Sequence, residues 1–273
     1  MSQAKERPAI GFIGTGHLGS MLVRTFVETK ALDAKDILAS NRTPEKAQQL
    51  AEPIGICFEN NRAVAKNSDA LFICVPPPEV RNVLMDLEDL LTPDKLLVCT
   101  AADVSLRMLQ TLCRARLARA FPSMASECLK GVTLLAFGDN ATSLDRTLIK
   151  QLFCAIGDAV EVDEKEFGIL GDLTSCAPGY IAALMQELAL AANRRGISQD
   201  LAEKLIKQTL AGTAQLLEEE SFQHLACRVA TKGGITEAGE KVIRQEASGM
   251  FDRLFQATQA KHDRVKRRLD SQA

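Results

Sequence analysis

The sequence predicts an α/β protein: a doubly wound N-terminal domain over residues 1–162, then an all-α domain over 163–273. Three observations predict it. Short, nearly continuous apolar runs alternate with amphipathic segments through the first half, as in a parallel sheet covered on both faces. A glycine-rich turn follows the first run and opens the first helix, the mark of a Rossmann-like domain. Strand patterns then stop near Val162 and long helical stretches take over.

The first strand is "PAIGFI" (8–13), followed by an amphipathic helix from about His17 to Thr29. Strand "DILAS" (36–40) precedes a helix opened by Thr43-Pro44, an N-cap residue followed by proline at the first helical position. Strand "ALFICV" (70–75), helix 79–91, strand "KLLVC" (95–99) and a helix after Ser105 come next. Strands "RLARAF" (116–121) and "VTLLAFG" (132–138), helix 142–154 and the small strand "DAVEV" complete the domain. In the second half, 178–196 reads as a long helix ended by Gly196, and Ser198 caps another. Two more helical segments are expected after Gly233-Gly234, the last running into "KHDRVKRR", read as a solvated helix end. The 178–192 stretch is continuously apolar and needs burial around most of its circumference. One small helical domain offers little cover, so a partner copy of the chain is expected.

With 46% apolar and 25% charged residues in 273, the chain has the composition of a soluble globular protein with a sizeable core. A net charge of −2 supplies no field for nucleic acid or an anionic membrane. The start, "MSQAKERPAIGFIG", carries charge and no leader-like apolar run, and no stretch reads as membrane-spanning. Eight cysteines without a CxxC pair, some in apolar strands like Cys74 and Cys99, indicate reduced thiols in the cytoplasm. His17, His224 and His262 lack ligand spacing, so no metal site is expected.

In "GTGHLG", Gly14 suits a tight turn, Gly16 a close backbone approach to a pyrophosphate, and Gly19 close helix–strand packing. Thr15, His17 and Leu18 complete the loop, and the helix start supplies N–H donors and a favourable dipole. At the end of the second strand stands Ser40-Asn41-Arg42-Thr43 with no acid to hold a ribose hydroxyl. Arg42 suits a 2′-phosphate, and its neighbours can donate hydrogen bonds, so the expected cofactor is NADPH. No lysine lies between Lys165 and Lys204, where β-hydroxyacid dehydrogenases carry a catalytic one, which favours imine over alcohol chemistry.

Several segments, in order, resemble pyrroline-5-carboxylate reductases over nearly the whole chain. "GFIGTGHLGSML" resembles that family's opening, "SNRTPEKAQQL" its phosphate loop and "AADVSLRML" its AAGVS segment. "LTSCAPGYI" resembles its LSGSGPAY segment, "VATKGGIT" its VTSPGGTT substrate loop and "KQTLAGTAQLL" the helix preceding that loop. The resemblance implies an NADPH domain, with Val75, Pro76 and Ala101 among its contacts, and a helical domain interlocked with a second subunit. It implies reduction of a cyclic imine carboxylate, pyrroline-5-carboxylate to proline, by a homodimer, with further assembly of dimers open. Amides of Gly233 and Gly234 would bind the carboxylate, and Thr236 would approach the ring nitrogen as the catalytic residue. Thr231, Ile235, Glu219 and Cys176 would line the substrate site.

The chain also departs from that pattern. MPNTP reads "FPSMA", with Ser123 and Ala125 replacing asparagine and proline, and VKPQ reads "VPPP", without the lysine. Asp103 stands for the glycine of AAGVS, Ser175 and Ala177 for glycines of LSGSGPAY, and Cys176 for a serine there. Lys232 and Ile235 replace a proline and a threonine of the substrate loop. Two alternatives stay open: another imine substrate, or a non-catalytic NADP(H)-binding dimer that senses or scaffolds.

Overall fold

The computed structural model describes residues 8–270. The charged stretch 1–7, over which no leader is expected, lies outside the described residues.

Alternation of apolar runs and amphipathic segments gives β1 (Ile10–Ile13), α1 (His17–Glu28), β2 (Ile37–Ser40), α2 (Pro44–Ile54), β3 (Cys57–Phe58) and α3 (Asn61–Asn67). Then come β4 (Ala70–Ile73), α4 (Pro77–Asp86), β5 (Leu96–Cys99), α5 (Leu106–Leu112), β6 (Arg116–Phe121), β7 (Gly131–Phe137), α6 (Ser143–Cys154) and β8 (Gly157–Glu161). The expected 79–91 helix is shorter and ends in a separate 3-10 turn, Glu88–Leu90. Sequence reading passes over β3 and α3: β3 has only two residues, too few for an alternation signal, and α3 only seven.

The sheet runs in the order β3-β2-β1-β4-β5-β6-β7-β8. Its pairs are parallel except β6–β7, which is antiparallel and departs from the all-parallel expectation. The cause is chain length: residues 122–130 are fewer than the dozen or so that a parallel crossover needs. They fold instead into the 3-10 turn Met124–Cys128.

Period-2 alternation splits β1 between two cores. Ile10 and Phe12 face the cluster that contains Phe26, Phe72 and Phe153, with Phe12 and Phe72 stacked at 4.8 Å between ring centroids. Ile13 faces a second cluster, under α4 and α5, built on Leu71, Ile73, Leu84, Leu97 and Leu109. Two ends are set by side chains: Ser105 accepts from the Met108 N–H at the head of α5, and Thr142 with Asp145 forms a capping box on α6.

Beyond β8 the described residues hold no strand. Helix α7 (Phe167–Gly171), a π-helical turn (Asp172–Cys176), α8 (Ala177–Asn193), α9 (Gln199–Leu216), α10 (Phe222–Val229) and α11 (Ile235–Asp270) follow. One helix, not two, follows the glycine pair, and α10 precedes it. Gly239 and Gly249 lie inside α11; a helical glycine costs about 1 kcal/mol against alanine but does not end the helix. From Glu164 to Asn193 the 30-residue helical run is long and apolar enough to cross a membrane, by length and composition alone. This corrects the expectation that no stretch reaches that length; the short helices before α8 extend its apolar run.

Contacts divide the chain into two compact units. One is the chain up to Cys176 joined by residues from Gln259 onward; the other is Ala177–Thr258. The first thus runs past the expected 162/163 division and takes in the end of α11. That end is not simply solvated: Leu269 is 3% exposed and, with Val265, packs into the cluster under α4 and α5.

Candidate active site

Strand order reverses around β1. The chain steps outward to β2 and β3, then returns to β4 on the other side of β1, which opens a crevice at the carboxyl ends of β1 and β4. Gly14 turns out of β1 with φ +98°, and its N–H donates to the Ser40 carbonyl at 3.0 Å. A Cβ on Gly14 would lie 2.7 Å from the Cys74 carbonyl oxygen, and one on Gly19 would lie 2.0 Å from the Gly14 oxygen. Both glycines are therefore demanded by backbone contact. A Cβ on Gly16 would meet nothing within 4 Å, so the head of α1 presents an open cradle of the kind a pyrophosphate fills.

The end of β2 is tied to this turn, because the Asn41 amide donates to Thr15 Oγ1 at 2.7 Å and accepts from the Thr43 N–H at 3.2 Å. The Ser40 hydroxyl is buried with no hydrogen-bond partner among the described residues. The Arg42 side chain is 84% exposed and pairs with Glu79 on α4 at 3.1 Å. His17 stands exposed at the first position of α1, while Leu18 packs against the first core. Val75 packs against the second core, Pro76 is the exposed N-cap of α4, and Ala101 is buried just past β5. These residues fit a dinucleotide whose 2′-position bears phosphate.

The expected substrate residues lie in the second unit, except Cys176, which ends the π-helical turn. Gly233 turns with φ +74°. Its N–H is not free, as the sequence reading expects, but donates to Glu237 Oε2 at 2.7 Å. The Gly234 N–H donates to the Thr231 carbonyl at 2.8 Å, and a Cβ on Gly234 would lie 2.4 Å from Thr231 Oγ1. Thr236 lines a groove of about 540 Å³ with Leu216, Phe222, Leu225 and Ile243, while Ile235 is 95% exposed. Glu219 is exposed, and it is the next residue, Glu220, that is held by His224 and Arg228.

Two of the departures explain each other. The Ser123 hydroxyl donates to the Thr174 carbonyl and that of Ser175 to the Phe121 carbonyl, both at 3.1 Å, stitching the turn after β6 to the π-helical turn. Sequence reasoning misses a buried charged cluster at the carboxyl edge of β5 and β6. Arg119 stacks on Phe167 and pairs with Glu164 at 2.9 Å, and His262 meets Asp103. Its only sequence signal is a charged residue in each of two apolar surroundings, Arg119 in "RLARAF" and Asp103 after "LLVC". No cluster of metal-ligating side chains occurs among the described residues.

Comparison with known proteins matches two family profiles. "Pyrroline-5-carboxylate reductase dimerisation" covers residues 164–265, and "NADP oxidoreductase coenzyme F420-dependent" covers 9–103. The first takes in the apolar α8, whose Ile181 and Leu188 are exposed in the single chain. Among similar proteins, ComE operon protein 4 of Bacillus subtilis (strain 168) is 30% identical, over 93% of this chain and 95% of that one. A solved pyrroline-5-carboxylate reductase from Coxiella burnetii superposes with a TM-score of 0.84 at 28% identity, covering 95% of this chain and 98% of that one. The pyrroline-5-carboxylate reductase of Pisum sativum is 31% identical over 92% of each chain. With the glycine turn, the mixed sheet and the helical second unit in the same order, the chain belongs to the pyrroline-5-carboxylate reductase family.

Proposed function

We propose that this chain is a soluble, cytoplasmic homodimer that uses NADPH to reduce the C=N bond of a cyclic imine carboxylate, converting pyrroline-5-carboxylate to proline. The observation that carries the reading is the open cradle at Gly16 beside Arg42, at a β2 end that lacks an acid. Bound NADPH supplies the hydride. Gly14, Gly16 and Gly19 would give its pyrophosphate the head of α1, and Arg42 would hold the 2′-phosphate in place of Glu79. A protonated imine is already an electrophile, so the protein's part is orientation and exclusion of water. Thr236 holds the ring nitrogen through its hydroxyl, and the turn at Thr231, Gly233 and Gly234 receives the carboxylate once Glu237 withdraws.

A panel of cyclic imines, followed by NADPH absorbance, tests this. Turnover of pyrroline-5-carboxylate that falls sharply in Thr236→Val is expected; full activity in that variant removes Thr236 from the site. One observation favours a second reading, an imine without the carboxylate: Glu237 already occupies the Gly233 amide. Tight NADPH binding with no imine turned over would leave a cofactor-sensing dimer.

A further inference from the structure

The loop leaving β5 is tied at both ends. Thr100 donates through its N–H and its hydroxyl to the Ile73 carbonyl, each at 3.1 Å, and the Ala101 carbonyl accepts from Arg119 at 3.3 Å. At the far end the Leu106 N–H donates to Glu164 Oε1 at 2.7 Å. Between these ties stands Asp103, with φ +61°, the left-handed region that glycine adopts freely and that aspartate enters at a smaller cost than most side chains. Its two carboxylate oxygens lie 2.9 and 3.0 Å from Nδ1 of His262, and the side chains are only 9% and 14% exposed. The other ring nitrogen of His262 is 3.9 Å from buried Asp172. Val265 and Leu269, further along α11, seat this part of the helix in the core, so His262 is a fixed post and not a loose surface side chain.

The reaction proposed above uses neither residue. We infer that His262 is a positioning residue: by pinning Asp103 in its left-handed conformation it fixes the path of residues 101–105 along the cofactor crevice. Without that partner the buried carboxylate is unpaired and the backbone relaxes toward a right-handed or extended form, moving the loop that carries Ala101. The inference rests on the cofactor reading. Its physical basis is local, because glycine at 103 would adopt the same φ without a post.

The test compares wild type, His262→Ala, Asp103→Gly and the double variant by NADPH dissociation constant and by amide hydrogen exchange over 101–105. His262→Ala is expected to weaken NADPH roughly tenfold, the scale of one buried group left without its hydrogen-bond partner, and to speed exchange in the loop. Asp103→Gly alone should keep the wild-type NADPH constant but exchange somewhat faster, since glycine reaches φ +61° without cost and is not pinned there, and in the double variant both readouts should return to the Asp103→Gly level. An unchanged His262→Ala, or a double variant as defective as His262→Ala, overturns the assignment and leaves His262 an anchor of the helix end. Failure of both His262 variants to fold says the same. If wild type binds no NADPH, the cofactor reading falls, and exchange alone decides whether glycine rescues the loop.

Discussion

The backbone N–H of Gly233 donates to the carboxylate of Glu237 at 2.7 Å, so an acid of the chain itself sits on the amide that the glycine pair was expected to offer a substrate. That hydrogen bond, and Lys241 beside it, hold the Glu237 carboxyl below the usual carboxylate range. Glu237 is therefore anionic at neutral pH, and the contact is lost only as pH falls through its lowered pKa. Glu237→Gln should lower KM for pyrroline-5-carboxylate by roughly tenfold, the scale of one charge-assisted hydrogen bond. KM for the same ring without a carboxylate should stay put, and equal shifts for the two would show that Glu237 only caps α11.

Arg42 and Glu79 form an exposed pair at the mouth of the crevice. Arg42→Asp should reverse the preference for NADPH over NADH, and an unchanged ratio would take the 2′-phosphate away from Arg42. Glu79→Gln frees the guanidinium and should tighten NADPH by no more than about fivefold, since exposed ion pairs are worth up to about 1 kcal/mol. Titration of both cofactors into each variant reads this directly.

Arg116 and Asp145 lock β6 to the start of α6 with two hydrogen bonds, at 2.7 and 3.1 Å. Burial alone would raise the Asp145 carboxyl, but the donors Arg116 and Thr142 outweigh it and hold it below its ordinary value. The stabilisation is thus present above the ordinary carboxylate range and lost as pH falls through the lowered value. Asp145→Asn should cost about 3 kcal/mol in urea unfolding at pH 7, and the difference from wild type should shrink as the pH is lowered.

Burial raises the Cys74 thiol to about 12 and the Cys99 thiol to about 11. At pH 8 both are protonated and should resist a thiol reagent until denaturant is added. Cys57, Cys128, Cys154 and Cys227 are exposed and should label first; mass mapping of labelled peptides checks the order.

Much of the fold was legible because most strands are apolar runs next to a periodic helix, and the Gly14-x-Gly16-x-x-Gly19 turn marks the crevice in the sequence itself. Gly14 and Gly19, whose Cβ would strike backbone, have roles that the spacing alone gave away. What stayed hidden depends on contacts between distant residues. Nothing in "ATKGGITEAG" says that Glu237 turns back onto Gly233, and "KHDRVKRR" reads as polar although His262 and Val265 within it, and Leu269 just after it, are drawn inward. The antiparallel β6–β7 pair was recoverable from loop length, a signal weaker than strand pattern.

The seat of Leu269 among the residues under α4 and α5 also has a bearing on biosynthesis. Apart from Val265 one turn earlier, every other member of that cluster lies between Ile13 and Leu117, so it emerges from the ribosome well before Leu269 does. The nascent N-terminal unit therefore waits with an apolar socket uncovered while the whole of Ala177–Thr258 is translated. That interval is the point at which the growing chain is open to misassembly and to chaperone capture. Its closure comes with the last turns of α11, which makes translation of that helix the step that finishes the nucleotide-binding half of the molecule.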